Sequence, residues 1–405
     1  MEAMGPSLST PTVPLLSTLL TPLRLGPLRL RNKFLMSALA RDRCYPTNVP
    51  TDMMVEYYRQ RAKGGASLIV TEAILIERQG TEWPHAPGIW SEEHIAAWKK
   101  ITDAVHKEGA YMYAQLWHVG RVCHSDAPEQ IASGQPVYAP SPIAARFGKF
   151  RFLPGEPPCS TPLEIQDPTE YVDMFRQAAI NAKKAGFDGV EVHAGGGYLI
   201  HTFLDNTSNK RTDAWSGSVR NRARFGLEVL EVVSEVFGAN RVGVKLSPAC
   251  GHNDVGMPLK DTLETYSYFI SEADKLGLAY MVFIRDIDFL DPVIDGQKRG
   301  TPHDMVSSYK HLLQNSLFFL NGEFTPIPAA DAIASGRADG VFFGRPFINN
   351  PDLPKRIEKG IPLTMEMDIT TLYGPTDGIV KDVEVLRKGY TDYPEGVEQE
   401  KRAGG

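Results

Sequence analysis

Cysteine is scarce: four residues in 405, Cys44, Cys123, Cys159 and Cys250, with no CxxC spacing and no companion histidine cluster. That pattern offers neither a disulfide framework nor a zinc site, and it leads us to expect reduced thiols in a cytoplasmic protein without a metal. Positive charge is not in excess, because 43 Lys plus Arg stand against 49 Asp plus Glu for a net charge of -6. General electrostatic attraction to nucleic acid or to an acidic membrane is therefore not expected. Long apolar runs are also missing. The amino-terminal stretch MEAMGPSLSTPTVPLLSTLLTPL has no early basic region and is broken by Pro11, Pro14 and Pro22, so it reads as neither a signal peptide nor a membrane span. With 42% hydrophobic and 23% charged residues, the composition is ordinary for a globular protein, and an enzyme with a small-molecule substrate becomes the default expectation.

What is abundant is an alternation of element types. Short apolar, β-branched or aromatic runs occur at 32–39, 66–73, 110–117, 187–194, 241–248, 278–285, 316–322 and 340–347, each followed by an amphipathic stretch. Eight near-continuous apolar strands alternating with helices predict a parallel sheet covered by helices, and the count of eight favours a single (β/α)8 TIM barrel over an open sheet. Two departures from the ideal barrel are legible. LRLGPLRL at 23–30 alternates around Gly-Pro and predicts an amino-terminal hairpin able to plug the barrel floor. Residues 118–168, rich in Pro and Gly after the third strand, predict a long lid or binding loop.

A barrel of this kind builds its active site at the carboxyl ends of its strands. Strand seven stops at Asn321-Gly322-Glu323 and strand eight is read as containing Gly344-Arg345-Pro346. Glycines admit backbone N–H groups to an anion and arginine can grip it through two donors, so this pair of ends predicts a phosphate-bearing cofactor; the alternative is turn glycines beside a surface cation. Strand three ends at Gln115, strand five at Lys245, and strand four at His193 with Tyr198 five residues on. Singly, a glutamine or lysine at a strand end is ordinarily a satisfied surface group, and a lone histidine belongs to a core. Together on one rim they suit a planar heterocycle: an amide for its edge, a cation for charge that develops on reduction.

The segments APGIWSEEHIAAW (86–98), QLWHVGR (115–121), HAGGGYLIHTFLDNTSNKRTD (193–213), NRARFGLEV (221–229), VGVKLSP (242–248) and FFGRPFINNPDL (342–353) closely resemble the old yellow enzyme family of FMN-dependent ene-reductases. The resemblance runs in order from about residue 21 to 360 and is strongest to the fungal and plant branch, a fungal pathway enzyme in particular. It divides the chain into an extension (1–20), an FMN-binding barrel (21–360) and a carboxyl-terminal tail (361–405). What it implies is a two-step reaction in which NADPH reduces FMN and the flavin then passes hydride to the β-carbon of an activated alkene. Matching positions place FMN against Ala38, Leu39, Ala40, Ala73, Gln115, Lys245, Gly322, Glu323, Gly344 and Arg345. Trp117 and Tyr373 lie over the substrate, His193 holds its oxygen, and Tyr198 protonates the α-carbon. Homodimerisation is in keeping with the resemblance, although no interface follows from periodicity.

Three departures stand out. Where the family has a second donor, Asn or His, three residues after His193, this chain has Gly196, so activation is weakened or a donor comes from elsewhere, for example the 118–168 loop. Ala40 replaces a Thr or Cys that hydrogen-bonds the flavin. A segment at 379–388 separates YGPTDG from GYTDYP, and Glu323 puts an acid beside the phosphate. The missing donor also raises a second reading, a redox-neutral flavin-dependent isomerase or cyclase. A third, a non-catalytic ligand-binding relative, sits poorly with retention of His193, Tyr198, Gln115 and Lys245.

Overall fold

Eight parallel strands close into a barrel in the computed structural model of the chain, which describes residues 15–81, 83–146, 150, 153–375 and 382–396. In chain order they are β1 (Leu35–Met36), β2 (Leu68–Leu75), β3 (Tyr111–Trp117), β4 (Gly189–His193), β5 (Val242–Leu246), β6 (Tyr280–Ile284), β7 (Leu317–Asn321) and β8 (Gly340–Phe343). Each pairs with the next and β8 returns to β1, through Phe342 against Leu35. The expected barrel is thus present, with two boundary corrections. β1 is only two residues long, and Ala38 to Ala40 follow it as irregular chain at the rim. Gly344, Arg345 and Pro346 are not in β8: Gly344 turns the chain, and Arg345–Asn349 is a short helix. Proline has no N–H for a strand ladder but fits the first turn of a helix, which is where Pro346 stands.

Both faces of the strands are apolar because both are covered. Inward side chains, among them Leu35, Leu68, Val70, Tyr113, Val282, Phe319 and Phe342, fill the lower barrel. Leu25, Leu28 and Leu30 of the hairpin join that cluster from below. The hairpin itself pairs Leu23 with Leu30 and Leu25 with Leu28, so the predicted floor plug is formed. Outward residues such as Ile69, Met112, Val192, Val244, Phe283 and Phe343 pack under the helices.

Helices α1 (Asp52–Lys63), α2 (Glu92–Lys107), α3 (Pro168–Lys184), α4 (Val219–Phe237) and α5 (Leu259–Asp274) follow β1 to β5. Their starts obey local chemistry. Ser91 and Ser218 accept from the backbone N–H three residues on, and Asp167 accepts from Thr169 N, each satisfying a donor that the helix cannot. Glu92 and Glu93 lie at the positive end of α2, with His106 and Lys107 at its negative end. The long loop after β3 carries a short helix (Pro128–Ser133) and a two-residue parallel ladder joining Tyr138–Ala139 to Leu163–Glu164. Residues 147–149 and 151–152 of that loop lie outside the described residues.

The segment 382–396 packs on the barrel. Tyr390 is fully buried and stacks on Tyr57 of α1, with ring centres 4.1 Å apart. Arg41, just after the β1 rim, donates to Gly389 O at 2.6 Å and Leu372 O at 2.8 Å, while Arg43 donates to Thr371 O at 2.7 Å. Of the expected insertion 379–388, Val383–Arg387 is a short helix; residues 379–381, like 1–14 of the extension, lie outside the described residues.

Candidate active site

A cavity of about 630 Å³ opens at the carboxyl ends of the strands. That is room for a cofactor-sized ligand. Nine of the anticipated residues line it together: Ala38, Leu39, Ala40, Ala73, Gln115, Trp117, His193, Lys245 and Tyr198, with Tyr373 from the segment after the helix Leu353–Lys359 as a tenth. The alternation of strand side chains explains the grouping. Tyr113, Gln115 and Trp117 share one face of β3, and His193 is paired in register with Lys245 across β4 and β5. An irregularity in β2 between Val70 and Ala73 resets its register, so that Ala73 pairs with Gln115 at the cavity floor.

Gly322, Glu323, Gly344 and Arg345 flank the cavity without lining it. A Cβ on Gly344 would lie 3.3 Å from Leu39 Cδ2, and one on Gly322 would lie 3.3 Å from Arg285 N, so both glycines abut lining residues. Gly322 and Glu323 both have positive φ, 109° and 51°, and turn the chain at the end of β7. Arg345 donates to Glu323 at 3.2 Å and lies over the Phe289 ring, with its side chain half exposed. Arg285, which sequence reasoning passed over, donates to Gly322 O through two nitrogens and steadies the turn.

Lys245 is buried and donates to Ser37 Oγ at 3.1 Å; burial pulls its ammonium below the ordinary lysine range, and the carboxylate of Glu191 partly restores it. His193 is held well below its usual range by burial, with the Lys245 charge acting in the same direction, so the ring is neutral. Its Nδ1 accepts from Gly195 N at 3.3 Å, which leaves Nε2 as the protonated nitrogen and donor. The Tyr198 ring stands edge-on to both His193 and Trp117, with centres 5.1 and 5.0 Å away. Trp83 packs on Tyr373 at 4.3 Å and completes the aromatic wall.

Gly196 has φ 65°, and its neighbour Gly197 has φ 77°. The loop after β5 descends onto them: Asn253 Nδ2 donates to Gly196 O at 2.8 Å, and Ser247 Oγ accepts from Gly196 N at 2.7 Å. A Cβ on Gly197 would come within 2.7 Å of both Asn253 Cβ and His252 O. The triple glycine therefore makes space for this loop. From the 118–168 loop, Arg146, Phe150, Glu156 and Cys159 reach the cavity, and Arg146 is bound through Nε and Nη2 to Asp254. Asn253, Ser247, Trp83, Arg285 and Glu191 were not legible as site residues. Glu191 and Ser247 carried a faint signal, since they lie two residues from His193 and Lys245 respectively.

The residues present suit FMN. Gln115 offers an amide to a ring edge, Lys245 a cation for charge that develops on the ring, and the turns after β7, with positive φ at Gly322 and Glu323, and after β8, at Gly344, offer backbone donors to a phosphate. Among described residues, no group of three or more His, Cys, Asp or Glu is placed to hold a metal, and no helix is long and apolar enough to cross a membrane.

Comparison with known proteins agrees with this geometry. The sequence profile of the NADH:flavin oxidoreductase / NADH oxidase family matches residues 18–364. The NADP-dependent oxidoreductase lnbE of Aspergillus flavus is 38% identical over 94% of this chain and 97% of its own. Chanoclavine-I aldehyde reductase fgaOx3 of Penicillium roqueforti is 36% identical over 95% and 98%. Among solved structures, the old yellow enzyme homologue of Zymomonas mobilis superposes with a TM-score of 0.82 at 35% identity, covering 93% of this chain and 99% of that one. Morphinone reductase gives 0.80 at 37%, over 93% and 96%. With its barrel, its rim cavity and these relatives along nearly its whole length, the chain belongs to the NADH:flavin oxidoreductase / NADH oxidase family, the old yellow enzymes.

Proposed function

We propose that the cavity is where this FMN-dependent oxidoreductase uses NADPH to reduce the carbon–carbon double bond of an α,β-unsaturated aldehyde or ketone. The observation that carries the reading is the convergence of Gln115, Lys245, His193 and Tyr198 on one cavity. FMN supplies hydride chemistry when bound; the chain's own residues do the rest. Gln115 meets the ring edge, and Lys245 favours negative charge that builds there in a partly dry site. Ala38, Leu39, Ala40 and Ala73 form the floor, while Gly322, Glu323, Gly344 and Arg345 receive the phosphate, Arg345 exchanging Glu323 for it. His193 donates from Nε2 to the substrate oxygen. Tyr198, a phenol protonated at neutral pH, gives its proton to the α-carbon. Trp117 and Tyr373 wall the substrate side and keep out water.

The fungal relatives named as an NADP-dependent oxidoreductase and an aldehyde reductase support a place in fungal secondary metabolism. We further propose a cytoplasmic location, a small-molecule substrate without membrane or nucleic-acid partners, and a homodimer as a compatible assembly. Gly196 favours one competing reading, redox-neutral isomerisation or cyclisation, since the oxygen has one fewer side-chain donor. One assay separates them. Under anaerobic conditions NADPH should bleach the yellow enzyme and an enal or enone should restore the colour with one NADPH consumed per product; conversion without NADPH consumption selects the isomerase.

A further inference from the structure

Below the cavity, among the inward residues of the barrel, lies a carboxylate with no place in the mechanism above. Glu191 of β4 is 1% exposed. Its Oε1 accepts from Gln115 Nε2 at 2.6 Å, and its Oε2 accepts from the Tyr280 hydroxyl of β6 at 2.8 Å. Register places Glu191 between Gln115 on one side and Gly243 on the other. A Cβ on Gly243 would lie 2.3 Å from the Tyr280 ring, so that glycine is what lets the phenol stand upright and reach the acid. Lys245, the next inward residue of β5, supplies the facing cation. Burial drives the carboxyl up and the ammonium down, and each is held back by the other's charge.

An amide with one N–H on a carboxylate has a fixed sense. Rotating it by half a turn would set Oε1 of Gln115 against Oε1 of Glu191, two acceptors in contact in a dry interior. The clamp leaves Gln115 with one acceptor and one remaining N–H for the cavity, an adjacent pair that complements the carbonyl and N–H of an imide edge.

We propose that Glu191 is a positioning residue for the flavin, fixing the sense of the Gln115 amide and setting how much of the Lys245 charge is felt at the cavity floor. The inference rests on the reading that the cavity holds FMN. Two variants separate its parts. Glu191→Gln keeps the shape and removes the charge; with Lys245 less compensated, the FMN midpoint potential should shift upward. Glu191→Asp keeps the charge but is one methylene too short to reach Gln115, so the potential should stay near that of the wild type while the dissociation constant of FMN from the apoprotein rises on the order of tenfold. Unchanged potential in Glu191→Gln, or unchanged FMN affinity in Glu191→Asp, overturns the corresponding part. Should neither variant fold, Tyr280→Phe removes the hydroxyl that donates to the carboxylate and leaves its charge less neutralised, so the potential should fall; no shift there overturns the proposal. Wild-type apoprotein that fails to bind FMN defeats instead the reading of the cavity itself.

Discussion

Placing asparagine at Gly196 restores the donor that this site lacks, and the structure sets what it should gain and cost. A donor aimed at developing negative charge is worth roughly 3 kcal/mol, on the order of a hundredfold or more in rate. The cost falls elsewhere. At φ 65° asparagine is among the better-tolerated side chains, at about 1 kcal/mol. Its Cβ would sit 3.1 Å from Tyr198 Cε2 and 3.3 Å from Cδ2, so the phenol ring must yield by a few tenths of an ångström. Backbone strain is present in free enzyme and transition state alike, so it lowers the melting temperature by about one degree and leaves the rate alone. The displaced ring takes back part of the gain, and the net expectation is an increase of about tenfold. Reoxidation of reduced enzyme by cyclohexenone in an anaerobic stopped-flow instrument measures it directly. Gly196→Ala is the control, because it brings the same Cβ and crowding without a donor. If Gly196→Asn is no faster than Gly196→Ala, the absent donor is not what limits this enzyme on simple enones.

The remaining expectations concern the neighbours of that site. Tyr198→Phe should leave flavin reduction by NADPH intact and slow reoxidation by the alkene by roughly a hundredfold or more, the usual worth of a placed general acid; equal reoxidation rates assign the proton to another group. Lys245→Met should lower the flavin midpoint potential, since it removes the cation at the cavity floor, and a spectroelectrochemical titration showing no change removes that role. Arg345→Ala should weaken FMN binding by about tenfold, read by fluorescence titration of the apoprotein, with the half-exposed Arg345 limiting the effect. Glu72, buried with its carboxylate accepting from Arg41 N and Asp42 N, is pushed up to about 7 by burial. Between its ordinary range near 4.5 and about 7 the folded protein therefore holds a proton that the unfolded chain has lost, so stability falls as pH rises through that window, by at most roughly 3 kcal/mol. Glu72→Gln should flatten this part of a stability-against-pH curve in urea unfolding; an unaltered slope refutes it.

Sequence carried most of the barrel because its strands are buried on both faces and stand out as apolar runs, and because the hairpin floor announces itself in LRLGPLRL. Boundaries failed where local chemistry changes within a run. The apolar character of GVFFGRPF continues past Phe343, yet Pro346 belongs to a helix start, and β1 stops after Met36 although the run extends to residue 39. The site was legible where a residue type is unusual at a strand end: Gln115, His193 and Lys245. It was illegible where meaning depends on a partner distant in sequence. Asn253 is an ordinary loop residue until it is seen on Gly196, and Ser37 until it is seen under Lys245. The run of three glycines read as a loss; the structure shows it also as the clearance for an approaching loop.

The contacts of Arg41 and Arg43 with residues 371–372 and 388–389 bear on the order of assembly. The rim chain that forms the flavin floor, Ala38 to Ala40, is tied down by acceptors more than 300 positions later. Contacts of such separation form late, after the loop-closure entropy has been met by the barrel between them. During synthesis the eighth strand therefore emerges while Arg41 and Arg43 still lack these carbonyls, and the rim chain beside them is tied down only once residues 371–372 and 388–389 have followed it.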